Sequence, residues 1–199
     1  METIVVSGCG RCGSSLLMRM FHAADVPCFF RDEVSYEHPD TLAPENFDDV
    51  LRQCPGQAVK ILDPQYAKSL GELPAAWIWI ARDPEQQARS QVKLLQFTGV
   101  PVGFSAIPSM AAANLRDNAA IPLRLQKRPN TRVMVISFEE LLGLPYATSS
   151  AIVEFVGRDL DSKAMARIVK NRSPKCRPDM NEEIRLSKLA DAGKYEPTA

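Results

Sequence analysis

A short glycine-rich turn near the N-terminus limits the possible fold more than any other feature. The apolar run over residues 3–7 ends in the stretch SGCGRCGSS, and a helical pattern begins at the two serines. Gly8, Gly10 and Gly13 allow the main chain to turn its N–H groups inward, and the start of a helix adds unpaired N–H donors. A strand, such a turn and a helix in this order predict a site that binds a phosphate group.

Short apolar runs and helical patterns alternate along the rest of the chain. The runs are rich in β-branched and aromatic residues, as buried strands are, and cover residues 3–7, 26–30, 57–62, 75–81 and 132–137. The helical patterns cover residues 14–24, 84–97, 146–156, 162–170 and 182–191. This alternation predicts an α/β fold of three layers, with a parallel central sheet of about five strands and helices on both faces.

The segments between these elements are interpreted as parts of the same unit. Residues 31–56 and 98–125 are rich in Pro, Asp, Asn and Gly or only weakly periodic, and they predict loops and lid-like helices. In the segment ARDPEQQARS, Asp83 is the expected N-cap of a helix with Pro84 as its first residue. Trp77 and Trp79 alternate in a strand and are expected in the core. We predict a single domain over residues 1–199.

Charge and composition narrow the classes of function. The chain has 24 basic and 24 acidic residues, so no overall field favours nucleic acid or an anionic membrane as a partner. No apolar run reaches the length of a membrane span, and no secretory signal is recognisable. The five cysteines are irregularly spaced and predict reduced thiols rather than a disulfide framework. We therefore expect a cytoplasmic protein.

The glycine-rich turn admits three interpretations from its residues alone. Cys9 and Cys12 form a C-x-x-C pair, which a thiol-disulfide protein could use. The same stretch fits the G-x-x-x-x-G-K-[ST] frame of nucleotide hydrolases, except that Ser14 occupies the lysine position and the nearby cation is Arg11. A tight turn without a ligand is the third interpretation. A phosphate cradle is favoured because a redox pair does not need the glycines and serines.

The turn also resembles the 5′-phosphosulfate loop of the sulfotransferases, particularly the bacterial branch with the pattern G-x-P-R-S-G-T-S-L-L. Gly10 replaces the proline of that pattern, and Cys12 replaces its first serine. The matching positions are Gly8, Arg11, Gly13, Ser14 and Ser15.

Further segments strengthen the resemblance. WIWIARDPEQQARSQVKLL is similar to the 3′-phosphate motif of this family, and Arg82 and Ser90 have its spacing. The segment AVKILDP resembles the strand that carries an active-site lysine, here Lys60. The segment RVMVISFEELLGLPYATSSAIVEFVG is similar to a C-terminal part of the family, with Phe138 in place of a tyrosine.

The resemblance implies a transferase that moves a sulfuryl group from 3′-phosphoadenosine 5′-phosphosulfate (PAPS) to a hydroxyl or amine of a small-molecule or glycan acceptor, with no metal required. The expected catalytic residues are Lys60, Arg11 and Glu33. Glu33 is expected to be the general base, and Asp32 and His38 are the alternatives for that role. The expected donor-binding residues are Gly8, Gly10, Arg11, Cys12, Gly13, Ser14, Ser15, Arg82 and Ser90.

Three points stay open at the level of sequence. The basic segment over residues 170–178 could close over the 3′-phosphate, or it could be a surface charge cluster. An ATP-dependent small-molecule kinase of the P-loop fold is the second candidate function. A non-catalytic nucleotide-binding or thiol-regulatory protein is the third.

Overall fold

A computed structural model describes residues 1–31, 35–41 and 45–170. Its strands are β1 (Thr3–Gly8), β2 (Cys28–Phe29), β3 (Ala58–Leu62), β4 (Ala75–Ala81) and β5 (Thr131–Ser137). Its helices are α1 (Ser14–Ala23), α2 (Phe47–Leu51), α3 (Pro84–Phe97), α4 (Ile107–Gln126), α5 (Phe138–Gly143), α6 (Pro145–Val156) and α7 (Ser162–Lys170). Among these helices, none is both long and apolar enough to cross a membrane.

The five strands form one parallel sheet in the order β2-β3-β1-β4-β5. Strand β1 lies at the centre, and the chain runs from it to one side through β2 and β3 and to the other side through β4 and β5. In open α/β sheets, ligands bind outside the carboxyl ends of the strands at the point where the order reverses. That point lies between β1 and β4, where the glycine-rich turn and Arg82 follow the two strands.

Helices cover both faces of the sheet, which confirms the predicted three-layer α/β class. Side chains alternate along each strand, so Ile4 and Ile78 contact one helical layer and Val5 contacts the other. Trp77 and Trp79 are fully buried on the face that carries α2 and α4, as expected for core residues. Burial of both faces explains why the strands are almost continuously apolar.

The structure differs from the sequence-based prediction in two elements. Strand β2 contains two residues where five were predicted, because Pro27 has no N–H to pair and Val26 donates its N–H to the end of α1. The weakly periodic segment 98–125 contains all but the last residue of α4, a helix of 20 residues with Pro122 inside it. Ile121 and Leu125 of this helix are buried against the tryptophan face, so α4 belongs to a layer of the fold rather than to a lid.

Other expectations are confirmed or fall outside the described residues. Asp83 caps α3 by accepting a hydrogen bond from the Gln86 N–H at 2.8 Å, and Pro84 is the first helical residue. Asp32, Glu33, the basic segment after Lys170 and the helix predicted over residues 182–191 lie outside the described residues. The single domain over residues 1–199 stays a prediction.

Candidate functional site

Two glycines of the turn between β1 and α1 are required by close contacts. Gly13 has a φ of 108°, and a Cβ atom there would lie 2.4 Å from the ring of Phe138. At Gly8, a Cβ atom would lie 2.6 Å from the Cys12 Sγ atom and 2.7 Å from a main-chain oxygen of β4. Arg11 also has a positive φ, 68°, which is uncommon for a residue with a side chain and is typical of functional turns.

The turn leaves main-chain donors at the start of α1. Cys12 donates its N–H to the Cys9 carbonyl oxygen at 3.1 Å, and the Gly13 carbonyl accepts the N–H groups of Leu16 and Leu17. Within the described chain, no acceptor is assigned to the N–H groups of Gly13 and Ser15. The first N–H groups of a helix have no partner inside the helix, so they can bind an anion.

Arg11 contacts two residues beside this turn, Arg82 and Ser90, that lie 71 and 79 positions later in the sequence. The Arg11 Nε atom donates to the Ser90 Oγ atom at 3.2 Å, and the Arg82 Nη1 atom donates to the Arg11 carbonyl oxygen at 3.0 Å. Arg11 thus contacts both Arg82, through its carbonyl oxygen, and Ser90, through its guanidinium group. Two guanidinium groups and a hydroxyl at one end of the sheet provide directional donors suited to phosphate oxygens.

Residues at the start of α5 support Arg82. The Arg82 guanidinium carbon lies 4.8 Å from the centre of the Phe138 ring, a cation–π distance. The next residue, Asp83, donates its N–H to the Glu139 Oε1 atom at 3.0 Å. The aromatic ring thus contacts both the arginine after β4 and the glycine that begins α1.

Lys60 is buried in a network of oxygen atoms, and its side chain is 4% exposed. Its Nζ atom lies 2.9 Å from the Glu37 Oε1 atom and donates to the Ser35 carbonyl oxygen at 2.7 Å and to the Ser15 Oγ atom at 3.2 Å. These contacts use the three protons of the ammonium group. Lys60 therefore connects β3 to the start of α1 and to the segment after β2.

Asp63 is a site residue that the sequence analysis missed. It follows β3 with a φ of 49°, and its Oδ1 atom accepts the Gly10 N–H at 3.1 Å. Burial, with a smaller contribution from Asp117, raises the pKa of Asp63 above the usual carboxyl value. Its Oδ2 atom lies 3.3 Å from the position that a Cβ atom of Gly10 would occupy. The only sequence signal was its place one residue after a strand whose carboxyl end faces the turn.

The two cysteines of the turn are not suited to thiol chemistry. Cys9 and Cys12 are both buried, with 2% and 0% of their surface exposed. Burial raises the pKa of the Cys12 thiol to about 11, and burial together with Asp63 raises the pKa of the Cys9 thiol further. Because the thiolate is the reactive form, both thiols are held in their inert form.

The predicted donor-binding residues lie around one turn, but they do not all present side chains to it. The buried Cys12 can contribute only main-chain atoms, and Ser14 is 4% exposed. The Gly10 N–H donates to Asp63, and the Ser15 hydroxyl donates to the Ser35 carbonyl oxygen at 3.1 Å.

His38, a candidate general base, is buried against Phe29, with ring centres 4.2 Å apart. In the described segments, no group of three His, Cys, Asp or Glu residues could hold a metal ion.

Neither a protein-family model nor a curated protein sequence matches the chain. Among solved structures, the chain is similar to mouse sulfotransferase SULT7A1 complexed with PAP, with a TM-score of 0.52 and 16% identity over 86% of this chain and 64% of that chain. It is also similar to retinol dehydratase in complex with androsterone and inactive cofactor PAP (TM-score 0.49, 14% identity, 85% of this chain and 64% of that chain).

A third similar structure is a sulfotransferase from Alicyclobacillus acidocaldarius (TM-score 0.48, 16% identity, 98% of this chain and 94% of that chain). The chain spans slightly less than two thirds of the length of the mouse sulfotransferase and of retinol dehydratase. At a TM-score of 0.52 and 16% identity, the similarity to the mouse sulfotransferase shows a shared fold. With its parallel sheet and its turn between β1 and α1, the chain has the fold of the P-loop sulfotransferases.

Proposed function

We propose that the protein is a sulfotransferase that moves a sulfuryl group from PAPS to a hydroxyl or amine of a small-molecule or glycan acceptor. The observation that carries this proposal is the meeting of Arg11, Arg82 and Ser90 beside the main-chain donors of the glycine-rich turn. Two guanidinium groups suit a ligand with two separate phosphate groups better than a single phosphate ion. The sulfotransferase fold supports the same assignment.

The residues present fit the donor nucleotide. The N–H groups of Gly13 and Ser15 and the Arg11 guanidinium would hold its 5′-phosphate, and Arg82 with Ser90 would hold its 3′-phosphate. The Phe138 ring and the hydrogen bond to the Arg11 carbonyl oxygen hold Arg82 in place and so reduce the entropy lost when it binds an anion. When bound, the donor supplies the sulfuryl group and a phosphate leaving group.

The chain's own residues would align the partners and manage one proton. In the transfer, a bond forms between the acceptor oxygen or nitrogen and sulfur, and the bond from sulfur to the phosphate oxygen breaks. Arg11 would stabilise the charge that develops on that phosphate. Lys60 would serve as a further cation, on condition that donor binding redirects at least one of its three hydrogen bonds.

A general base must accept the proton that the acceptor loses. Asp63 suits this role because burial raises its pKa above the usual carboxyl value and so makes it a stronger base, and its Oδ2 atom has no donor among the described residues. Glu33, the base expected from the sequence, lies outside the described residues and stays a second proposal. The two carboxylates can be separated by mutation.

Measurement of nucleotide binding tests the proposal. Calorimetry should show that 3′-phosphoadenosine 5′-phosphate (PAP), the donor without its sulfuryl group, binds more tightly than ATP and does not require magnesium. Arg82→Ala should weaken PAP binding by about 10- to 100-fold, because charged hydrogen bonds are lost. Arg89→Ala is the matched control, since Arg89 lies on the helix that follows Arg82, α3, and pairs with Glu85 at the surface.

The outcomes separate the three candidate functions. Tighter binding of ATP with magnesium would favour a kinase and contradict the proposal. Binding of PAP without transfer of labelled sulfate from PAPS to a broad panel of alcohols, amines and sugars would favour a binding protein. The buried thiols leave no support for a thiol regulator.

A further inference from the structure

Two glutamines of α3 face the glycine-rich turn. Gln87 and Gln91 are four residues apart, so their side chains lie on the same side of the helix. The Gln87 Nε2 atom donates to the carbonyl oxygens of Cys9 at 2.9 Å and Gly10 at 3.0 Å. The Gln91 Nε2 atom also donates to the Gly10 carbonyl oxygen, at 2.9 Å. Two successive carbonyl groups of the turn are thus held from α3.

These contacts fix the direction of two peptide planes. A peptide group is planar, and its N–H points away from its C=O, so a held carbonyl also sets where the N–H points. The peptide between Cys9 and Gly10 is held at both ends, by Gln87 on its oxygen and by Asp63 on its N–H. The peptide between Gly10 and Arg11 has its oxygen held by both glutamines. Gly10 is therefore the anchored point of the turn.

Helix packing alone does not account for these two side chains. Ala88 and Val92 provide the apolar contacts of α3 and are fully buried. Gln87 is also 0% exposed, and within the described residues its Oε1 atom has no hydrogen-bond partner. A buried acceptor without a partner costs free energy, so a glutamine at this position is explained by what its amide nitrogen does.

Gln91 has a partner that orients it. Its amide and that of Asn114 on α4 exchange hydrogen bonds at 2.9 Å and 3.3 Å. Asn114 is 5% exposed, so this amide pair is largely shielded from water. The pair holds the Gln91 nitrogen toward the Gly10 carbonyl oxygen and away from solvent.

We propose that Gln87 and Gln91 are positioning residues that hold the carbonyl groups of Cys9 and Gly10 and thereby keep the turn, including Arg11, in the conformation that binds the donor phosphate. This inference rests on the proposed function, in which the turn binds the 5′-phosphate of PAPS. It makes Gly10 an anchor of the turn rather than a phosphate contact. Neither glutamine touches the reacting atoms.

The test replaces each glutamine by methionine, which keeps the length of the side chain but cannot donate a hydrogen bond. Gln87→Met and Gln91→Met should each raise the Kd for PAP by about five- to tenfold, the equivalent of one lost hydrogen bond. Gln86→Met, at an exposed position of the same helix, is the matched control and should leave the Kd unchanged. In transfer assays, the KM for PAPS should rise more than kcat falls.

A purely structural role predicts different results. In that case the methionine variants would unfold at a lower temperature and still bind PAP as tightly as the wild type, which would overturn the inference. If Gln87→Met does not fold, the Gln91→Met variant, at a partly exposed position, is measured instead. If the wild type binds ATP instead of PAP, the proposed function fails, and the same variants measured with ATP still decide whether the glutamines position the turn.

Gln91→Glu adds a readout that packing would not change. A carboxylate cannot donate to the Gly10 carbonyl oxygen, whereas a protonated carboxylic acid can. Relative to the wild type at each pH, binding of PAP by this variant should improve as the pH falls from about 8 to about 5.5, since nearby carbonyl oxygens favour the neutral acid. A ratio that does not change with pH would contradict the inference.

Discussion

Replacement of Lys60 by methionine tests whether this buried cation is an anchor, a catalytic group or both. Lys60→Met removes an ammonium group that is 4% exposed and contacts Glu37 at 2.9 Å, while Glu37 keeps 21% exposure. Loss of one partner of a buried ion pair costs about 3 kcal/mol when the remaining charge reaches some water. For a chain of 199 residues, that loss corresponds to a fall in Tm of about 6–12 °C.

The companion variant Glu37→Gln leaves the buried ammonium without its carboxylate. We expect a similar fall in Tm for this variant, because the remaining charge is then on Lys60. The double variant should lose about as much stability as either single variant rather than the sum of both. Urea denaturation of the four proteins gives the coupling free energy directly. Additive losses would refute the account of Lys60 and Glu37 as a buried pair.

Activity separates the anchor from the catalytic cation. If Lys60 stabilises charge on the leaving phosphate, Lys60→Met should lower kcat by about 10²–10³, the usual effect of removing a charge-stabilising donor. Glu37→Gln keeps the ammonium and should lower kcat by less than about tenfold. Equal losses of kcat in the two variants, assayed below their Tm, would show that Lys60 acts only as an anchor.

Three further predictions concern the turn and its neighbours. Gly13→Ala should destabilise the protein by about 3 kcal/mol in urea denaturation, because the new methyl group meets the Phe138 ring at a φ of 108°; unchanged stability would contradict the contact. Asp63→Asn should lower kcat by about 10²–10⁴ and remove the rise of activity with pH, because the pKa of Asp63 sets the fraction of the enzyme whose general base is deprotonated. An unchanged pH profile would favour Glu33 as the base. Because the pKa of Asp63 is higher in the folded than in the unfolded protein, its ionisation lowers folding stability as the pH rises from the unfolded-state pKa through the folded-state pKa. Asp63→Asn should therefore not lower the Tm near neutral pH. Cys12 and Cys9 should react with iodoacetamide at least about 100-fold more slowly in the native protein than in urea, since thiolate is scarce at a pKa of about 11; rapid native labelling would show that the turn opens.

The sequence predicted those parts of the molecule that depend on local patterns. The strands were visible as apolar runs because helices cover both faces of the sheet. Asp83 and Pro84 correctly predicted the start of α3. Arg82 directly follows β4, as its place after an apolar run indicated, and Ser90 lies inside α3. The length of α4 and its place in a layer of the fold were not predicted, because Pro122 and scattered small residues weaken its periodicity and its burial depends on the tryptophan face.

The site residues that were missed depend on contacts between distant segments. Asp63 joins the site because it turns with a positive φ and donates its N–H to the Gly8 carbonyl oxygen at 3.1 Å. Glu37 lies among several acidic residues, and only the position of Lys60 distinguishes it. The i,i+4 spacing of Gln87 and Gln91 is visible in the sequence, but their target carbonyl groups are not.

The contact of Gly13, Phe138 and Arg82 has a consequence for how such sequences can diverge. Any side chain at position 13 would overlap the aromatic ring, and the ring in turn lies under the guanidinium group. Changes at these three positions should therefore be correlated among homologues, although they are up to 125 positions apart in the sequence. A lineage that loses the glycine should also carry a smaller residue at position 138, and should retain the arginine only if another group supports it.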